Sequence, residues 1–201
     1  MNKKTHHALE SVDSIEAREI EDSLWWIQGR KNIIKKYLHK ISSLLSGDIQ
    51  MIMDIGCGSG GNLDVLDEQA NVIGVEPSSI LAERARARNI ARQIYELPAW
   101  EVKEINSINL FTMFDVLEHI EDDANFLKKL KNSASQNHVL FLSVPACPFL
   151  FSDHDKLLNH YRRYSQNMLS NCLIRSGYKP LLIQYHMFLA LVQSNFSYIT
   201  H

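Results

Sequence analysis

Cysteine is scarce in this chain of 201 residues: only Cys57, Cys147 and Cys172 are present. They are odd in number and far apart, so neither a disulfide framework nor a metal-binding spacing is visible, and a reducing, cytoplasmic setting is expected. An excess of one charge is also lacking. Lys and Arg total 21 against 23 Asp and Glu, for a net charge of -2. No strong field draws the chain to a polyanion, so nucleic acid is not an expected partner. No apolar run approaches the roughly 18 residues that a spanning helix needs. The opening "MNKKTHHALESVDSIE" has no apolar core of a signal peptide. Stable membrane insertion is therefore not expected. Repeats and low-complexity linkers are absent as well. What is left, 45% hydrophobic and 22% charged, is ordinary for one domain with a sizeable core. The domain is read as residues 1–201, with a helical segment at 1–47 and a core at 48–201.

Ile20, Leu24, Ile27, Ile34, Leu38 and Ile41 recur at helical spacing with charges between them. This predicts a helix over about 14–46, broken by Gly47. Met51–Ile55 reads as a short buried strand. "NLDVLDEQ" can form a short helix, "NVIGVEP" a second strand, and "SSILAERARARN" a helix opened by a serine cap. "ARQIYEL" is a weak third strand and "NLFTMFDVLEH" contains a fourth. The amphipathic "DDANFLKKLKN" precedes a fifth strand, "HVLFLSVP". "SQNMLSNCLIRSGY" is a capped helix ending at Gly177. "KPLLIQYHMFLALV" is expected to supply at least one more strand. Alternation of this kind predicts an α/β fold: a Rossmann-like sandwich with a mostly parallel central sheet and helices on both faces. Ligands of such sheets bind beyond the carboxyl ends of the strands. The glycine loop, Glu76, Asp115 and Pro145 all fall there.

The loop "MDIGCGSGGNL" supports two readings. Gly56, Gly58 and Gly61 spell G-x-G-x-x-G, which suits the pyrophosphate of a dinucleotide. Gly56, Gly58 and Gly60 spell G-x-G-x-G, which also lets backbone N–H groups meet an amino-acid carboxylate. Glu76, about twenty residues on, can accept from ribose hydroxyls under either reading. An NAD(P)-dependent oxidoreductase is therefore an alternative at this point, though no hydride-transfer constellation is recognisable.

Asp54 two positions before the first glycine, the "DVLEH" ending of the fourth strand, Trp25-Trp26 with Gly29-Arg30 upstream, and "SVPACPFLFSDHDKLLNHYRRYS" downstream form an ordered set. Together they resemble class I S-adenosylmethionine-dependent methyltransferases, in particular the small-molecule subgroup that carries DVLEH. The resemblance covers roughly residues 20–190. It implies S-adenosylmethionine as cofactor and methyl transfer to an oxygen or nitrogen of a small molecule. It also implies that Asp54 organises the loop, that Gly56, Cys57, Gly58 and Gly60 approach the methionine moiety, and that Glu76 with Pro77 holds the ribose. The 93–98 segment, Gln93 included, would contact adenine, and Asp115 would line the floor near the sulfonium. The chain departs from the pattern at Ile108-Asn109, where Phe-Asp is usual, at Gln93, often acidic, and at Gln136-Asn137-His138, usually Pro-Gly-Gly. The last strand must come from 193–201 or be incomplete, and a truncated cofactor-binding domain without catalysis is the corresponding alternative.

His119 is the best single candidate for a general base, since an imidazole titrates near neutral pH. Asp115, Glu118 and His119 stand at i, i+3 and i+4, one face of a helical turn. Carboxylates with imidazole are a sensible divalent-metal set, with His154 or His160 able to complete it, but no metal is assigned. Arg162 or Arg163 could hold an acidic acceptor. A lipid-like acceptor is compatible with the apolar 181–192, which is better read as buried strand. Trp25-Trp26 with Tyr37 could form an aromatic lid, and Arg84, Arg86, Arg88 and Arg92 read as a solvated helix.

Overall fold

The computed structural model describes residues 25–43 and 48–186. Five strands form one sheet in which every pairing is parallel: β1 (Met51–Ile55), β2 (Asn71–Val75), β3 (Gln93–Tyr95), β4 (Leu110–Phe114) and β5 (Val139–Ser143), in the order β3-β2-β1-β4-β5. The helices are α1 (Trp25–Ser42), α2 (Leu63–Asp67), α3 (Ser79–Ala87), α4 (Asp123–Ser133), α5 (Asp153–Leu157) and α6 (Gln166–Arg175).

Alternation along the strands explains the two layers. Ile52, Val72, Leu110 and Phe114 pack on one face with Ile34, Leu38 and Ile41 of α1 and with α2 and α3. Met53, Ile73, Phe111 and Met113 pack on the other with Leu127 and Leu130 of α4 and Leu169 and Leu173 of α6. A strand buried on both faces must be apolar throughout, and β4 is buried at all five positions. The predicted caps are present: the Ser78 hydroxyl accepts from Leu81 N–H, and that of Ser165 from Met168 N–H.

One expectation is corrected. Residues 179–186 form no strand: Pro180 lacks a donor, and Leu181, Leu182 and Tyr185 lie exposed. Residues 187–192 lie outside the described residues, as do 193–201, so the proposed last strand is not among them. The N-terminal helix is described only as Trp25–Ser42, and the Trp25 and Trp26 side chains fall outside the described part. Tyr37 lines the cleft described below. Its ring meets Phe141 and its hydroxyl donates to Gln184, pinning the segment after α6.

The departure at Asn109 has a structural reason. Its Oδ1 accepts from Gln50 N–H (3.2 Å) and Met51 N–H (3.3 Å), while its Nδ2 donates to Asp48 C=O (3.2 Å). The amide joins the start of β1 to the start of β4. Replacement of Asn109 by Ala is expected to cost about 1–2 kcal/mol, read as a lower urea midpoint with an unchanged slope.

Candidate active site

The strand order reverses between β1 and β4, and the chain leaves both strands at the same edge. A parallel sheet opens a crevice at such a point. Three of the glycines after β1 bend the backbone there, with φ of 69° at Gly56, 57° at Gly58 and 86° at Gly60. These are the glycines of the G-x-G-x-G spacing. A Cβ on Gly56 would stand 2.5 Å from Val116 Cγ2, so only glycine lets the turn pass the chain leaving β4. At Gly58 a Cβ would meet nothing within 4 Å, so open space lies beside the turn.

Glu76 closes the turn from the next strand end. It is buried, and its carboxylate accepts from Gly58 N–H and from Ser78 N–H, each at 2.9 Å. Two N–H groups use about half of the lone-pair capacity of a carboxylate, which leaves room for two hydroxyls. Pro77 follows, exposed, and directs the chain into α3. Arg88, read from the sequence as solvated, instead donates to Ser59 C=O at 2.8 Å and holds the turn from outside. Arg86 pairs with Glu96 at 2.7 Å and donates to Ile94 C=O, fixing β3.

Asp54 sits one residue before the end of β1 and is 2% exposed. The Thr112 hydroxyl donates to its Oδ1 at 2.6 Å. Burial pushes the Asp54 carboxyl up to about 7, against the hydrogen bond from Thr112; Glu76 adds to the rise and Arg30 opposes it. Cys57 turns its side chain away from the turn into the core: a Cβ on Gly74 of β2 would lie 2.7 Å from its sulfur. Burial raises its thiol far above the ordinary range, so it is no nucleophile.

Asp115 follows β4 with φ of 57°. Its carboxylate takes a salt bridge from Arg30 of α1 and a hydrogen bond from the Ser143 hydroxyl at 3.0 Å. The turn after it, Leu117–His119, is a single 3-10 turn, so the expected helical face of Asp115, Glu118 and His119 does not form. Glu118 and His119 meet His160 instead. The chain after β5 folds back over this turn, with Tyr161 N–H donating to Glu118 C=O at 2.8 Å. Burial lowers the His119 imidazole and the nearby His160 lowers it further, so the ring is neutral around neutral pH.

Not every residue picked from the sequence reaches this edge. Gln93 is exposed and pairs with Ile73, two residues below the end of β2, so it is not brought to Glu76. His154 lies outside the Glu118 group. Arg162 is taken by Asp123 (2.7 Å) and Arg163 by Asp155 (2.8 Å), which weakens the case for an acidic acceptor. A cleft of about 1130 Å³ opens beside Asp115, between α1, the 117–119 turn, β5 and residues 179–186. Arg30, Thr112, Arg88 and His160 are the functional residues least visible in the sequence. Each acts through a contact between distant segments, which no local spacing announces.

A methyltransferase-domain family model matches residues 27–178. The chain belongs to this family. The match decides the glycine ambiguity in favour of a methyltransferase, and the NAD(P) reading is not favoured. Solved structures similar to this methyltransferase include the YcgJ protein from Bacillus subtilis, with a TM-score of 0.60 and 15% identity over 79% of this chain and 76% of that one. An S-adenosylmethionine-dependent methyltransferase from Mesorhizobium loti is similar at 0.59, with 18% identity over 79% and 88%. Magnesium protoporphyrin IX methyltransferase from Synechocystis, solved with bound S-adenosylmethionine, is similar at 0.55, with 15% identity over 76% and 69%. Likeness at these identities is one of fold. Among curated proteins, none matches in sequence. No helix among the described residues is long and apolar enough to cross a membrane.

The raised Asp54 carboxyl makes a signed prediction. Unfolded, it titrates near its ordinary value of 3.8; folded, near 7. The folded state therefore binds the extra proton between those values. The contribution is greatest below about pH 4 and is lost as pH rises through 7, by about 4 kcal/mol in all. Asp54→Asn keeps an acceptor for Thr112 and is expected to remove that part of the slope. Urea unfolding of both proteins at about pH 5 and pH 8 measures the difference; equal slopes would refute it.

Proposed function

We propose that the chain transfers a methyl group from S-adenosylmethionine to an oxygen or nitrogen of a small molecule. The observation that carries the reading is the Glu76 carboxylate held against Gly58 N–H at the strand edge, with two acceptor positions spare. Bound S-adenosylmethionine supplies an electrophilic methyl group on a sulfonium. The residues present suit it. The bent turn at Gly56–Gly60 offers close backbone approach to the methionine part. Glu76 accepts from the ribose hydroxyls, and the 96–98 segment beyond β3 walls the adenine. Asp115 and Arg30, paired with each other, line the cleft.

The protein's task in such a displacement is alignment and exclusion of water. The cleft serves it with an apolar wall from α1 and β5 and a few polar groups near Asp115. His119, neutral near pH 7, is the side chain suited to take a proton from an incoming hydroxyl or ammonium. A cleft of this size and a nearly neutral chain suit a small molecule better than nucleic acid. Three unpaired thiols suit a cytoplasmic setting.

Calorimetric titration with S-adenosylhomocysteine is expected to show one site per chain. Glu76→Ala is expected to weaken it about ten- to a hundredfold, as loss of hydrogen bonds to a charged acceptor does. Binding of NADH with no response to S-adenosylhomocysteine would overturn the proposal. With an acceptor in hand, His119→Ala is expected to lower turnover while leaving S-adenosylhomocysteine affinity unchanged; full turnover would dismiss the base.

A further inference from the structure

Glu118 is the buried group that methyl transfer leaves without a role. Its side chain is 0% exposed, and neither carboxylate oxygen finds a hydrogen-bond partner among the described residues. An unpaired carboxylate in a dry site is costly: the group either keeps its proton or ionises against a compensating positive charge. Two imidazoles flank it. One ligand atom each from Glu118, His119 and His160 lie within 4.8 Å of one another. The two rings meet edge to face with centroids 4.7 Å apart, so neither blocks the space between them by stacking.

We propose that Glu118, His119 and His160 form a three-ligand site for a divalent transition-metal ion, with its open coordination positions toward the cleft. The outer contacts fit that role. His160 Nδ1 lies 3.1 Å from Asp155 Oδ1, which fixes the tautomer and leaves Nε2 to ligate. Asp155 is itself buried and held by Ser152 N–H (2.9 Å) and Arg163 Nε (2.8 Å). The carbonyls of Leu158 and Asn159 stand beside the His119 ring, ready to take the N–H that the metal does not need. Two nitrogens and one carboxylate oxygen suit Zn²⁺, Fe²⁺, Co²⁺ or Ni²⁺ better than Mg²⁺ or Ca²⁺, which prefer oxygen throughout. Ligand atoms around a tetrahedral ion with bonds of about 2.0 Å are roughly 3.3 Å apart. His119 is half-sunk beside His160 but keeps an exposed side, so a side-chain rotation would close that gap.

The open positions face the cleft beside Asp115, so an acceptor carrying a hydroxyl or carboxylate oxygen would be seated there. That use rests on the methyl-transfer reading; the binding of the metal does not. A nitrogen that ligates a cation has no lone pair for a proton, so the base role of His119 belongs to the metal-free chain and its ligand role to the loaded one.

The test is a Co²⁺ titration of the full chain after stripping with EDTA, read by visible absorption and by melting temperature. One Co²⁺ per chain is expected, with ligand-field bands that strengthen on tetrahedral binding. At a hundredfold excess over Kd the melting temperature should rise by about 5–10 °C. Glu118→Gln and His160→Ala should each weaken Co²⁺ about a hundredfold or more. Glu118→Gln keeps the buried volume and stays uncharged as the protonated acid does, so without metal it should melt near the parent temperature, which separates lost binding from lost folding. Absence of stoichiometric uptake, or equal affinity in parent and both variants, would overturn the proposal. S-adenosylhomocysteine affinity of the stripped protein is read in parallel. If it is retained without Co²⁺ uptake, the metal site fails alone; if it is lost while Co²⁺ binds, the methyl-transfer reading fails and the metal site stands.

Discussion

A sheet whose strands all run one way must end them all at one edge. That constraint governs this protein. Each crossover helix returns the chain to the opposite edge, so every segment leaving a strand is gathered on the side where Gly56, Glu76, Asp115 and Val144 stand. Strand pairing continues into those segments: Gly56 N–H donates to Val75 C=O at 2.7 Å, Glu76 N–H to Tyr95 C=O at 2.9 Å, and Asp115 N–H to Ser143 C=O at 3.0 Å. The loops that carry the chemistry are thus extensions of the ladder, and their side chains inherit its rigidity.

Four carboxylates are buried at or near this edge, and each is treated differently. Glu76 is satisfied by backbone N–H groups. Asp155 is engaged by Arg163, Ser152 and His160, and these hold its carboxyl well below the usual range even though burial works the other way. Asp54 has one hydroxyl donor and is pushed up to about 7 by burial. Among the described residues Glu118 has no donor, and burial with the nearby Asp115 charge pushes it up to about 8. The gradient runs from groups that brace the loops to groups that await a partner. Stability is spent on the second kind only where a site needs them.

Much of the layout was legible in the chain. Apolar runs of four to five residues, each stopped by glycine or proline, marked β1, β2 and β5, and serine caps marked the starts of α3 and α6. The glycine turn and Glu76 were visible because a strand end and a fixed loop length place them. The legible part ended where contact depends on two distant segments. The Leu117–His119 turn looked helical by spacing, yet the left-handed backbone at Asp115 sends that carboxylate toward Arg30, and His160 takes the place expected for it. Arg88 and Arg163 looked free because their acceptors, Ser59 C=O and Asp155, are brought up only by folding. Residues 179–186 form no strand for a like reason: hydrophobicity alone cannot make a ladder where Pro180 withholds a donor.

The packing of Cys57 against Gly74 has a consequence for how this enzyme can change. The sulfur occupies the volume that a β2 side chain would otherwise fill, so the two positions, seventeen apart in sequence, share one allotment of space. Enlargement at either one alone crowds the other, and a methyl group at 74 needs both a smaller residue at 57 and a shift of Ile94 Cδ1, which stands 2.6 Å from the same point. Variation in the cofactor turn is therefore coupled to the interior of a neighbouring strand, and libraries that diversify the turn while holding the sheet constant will exclude combinations that the fold itself can accommodate.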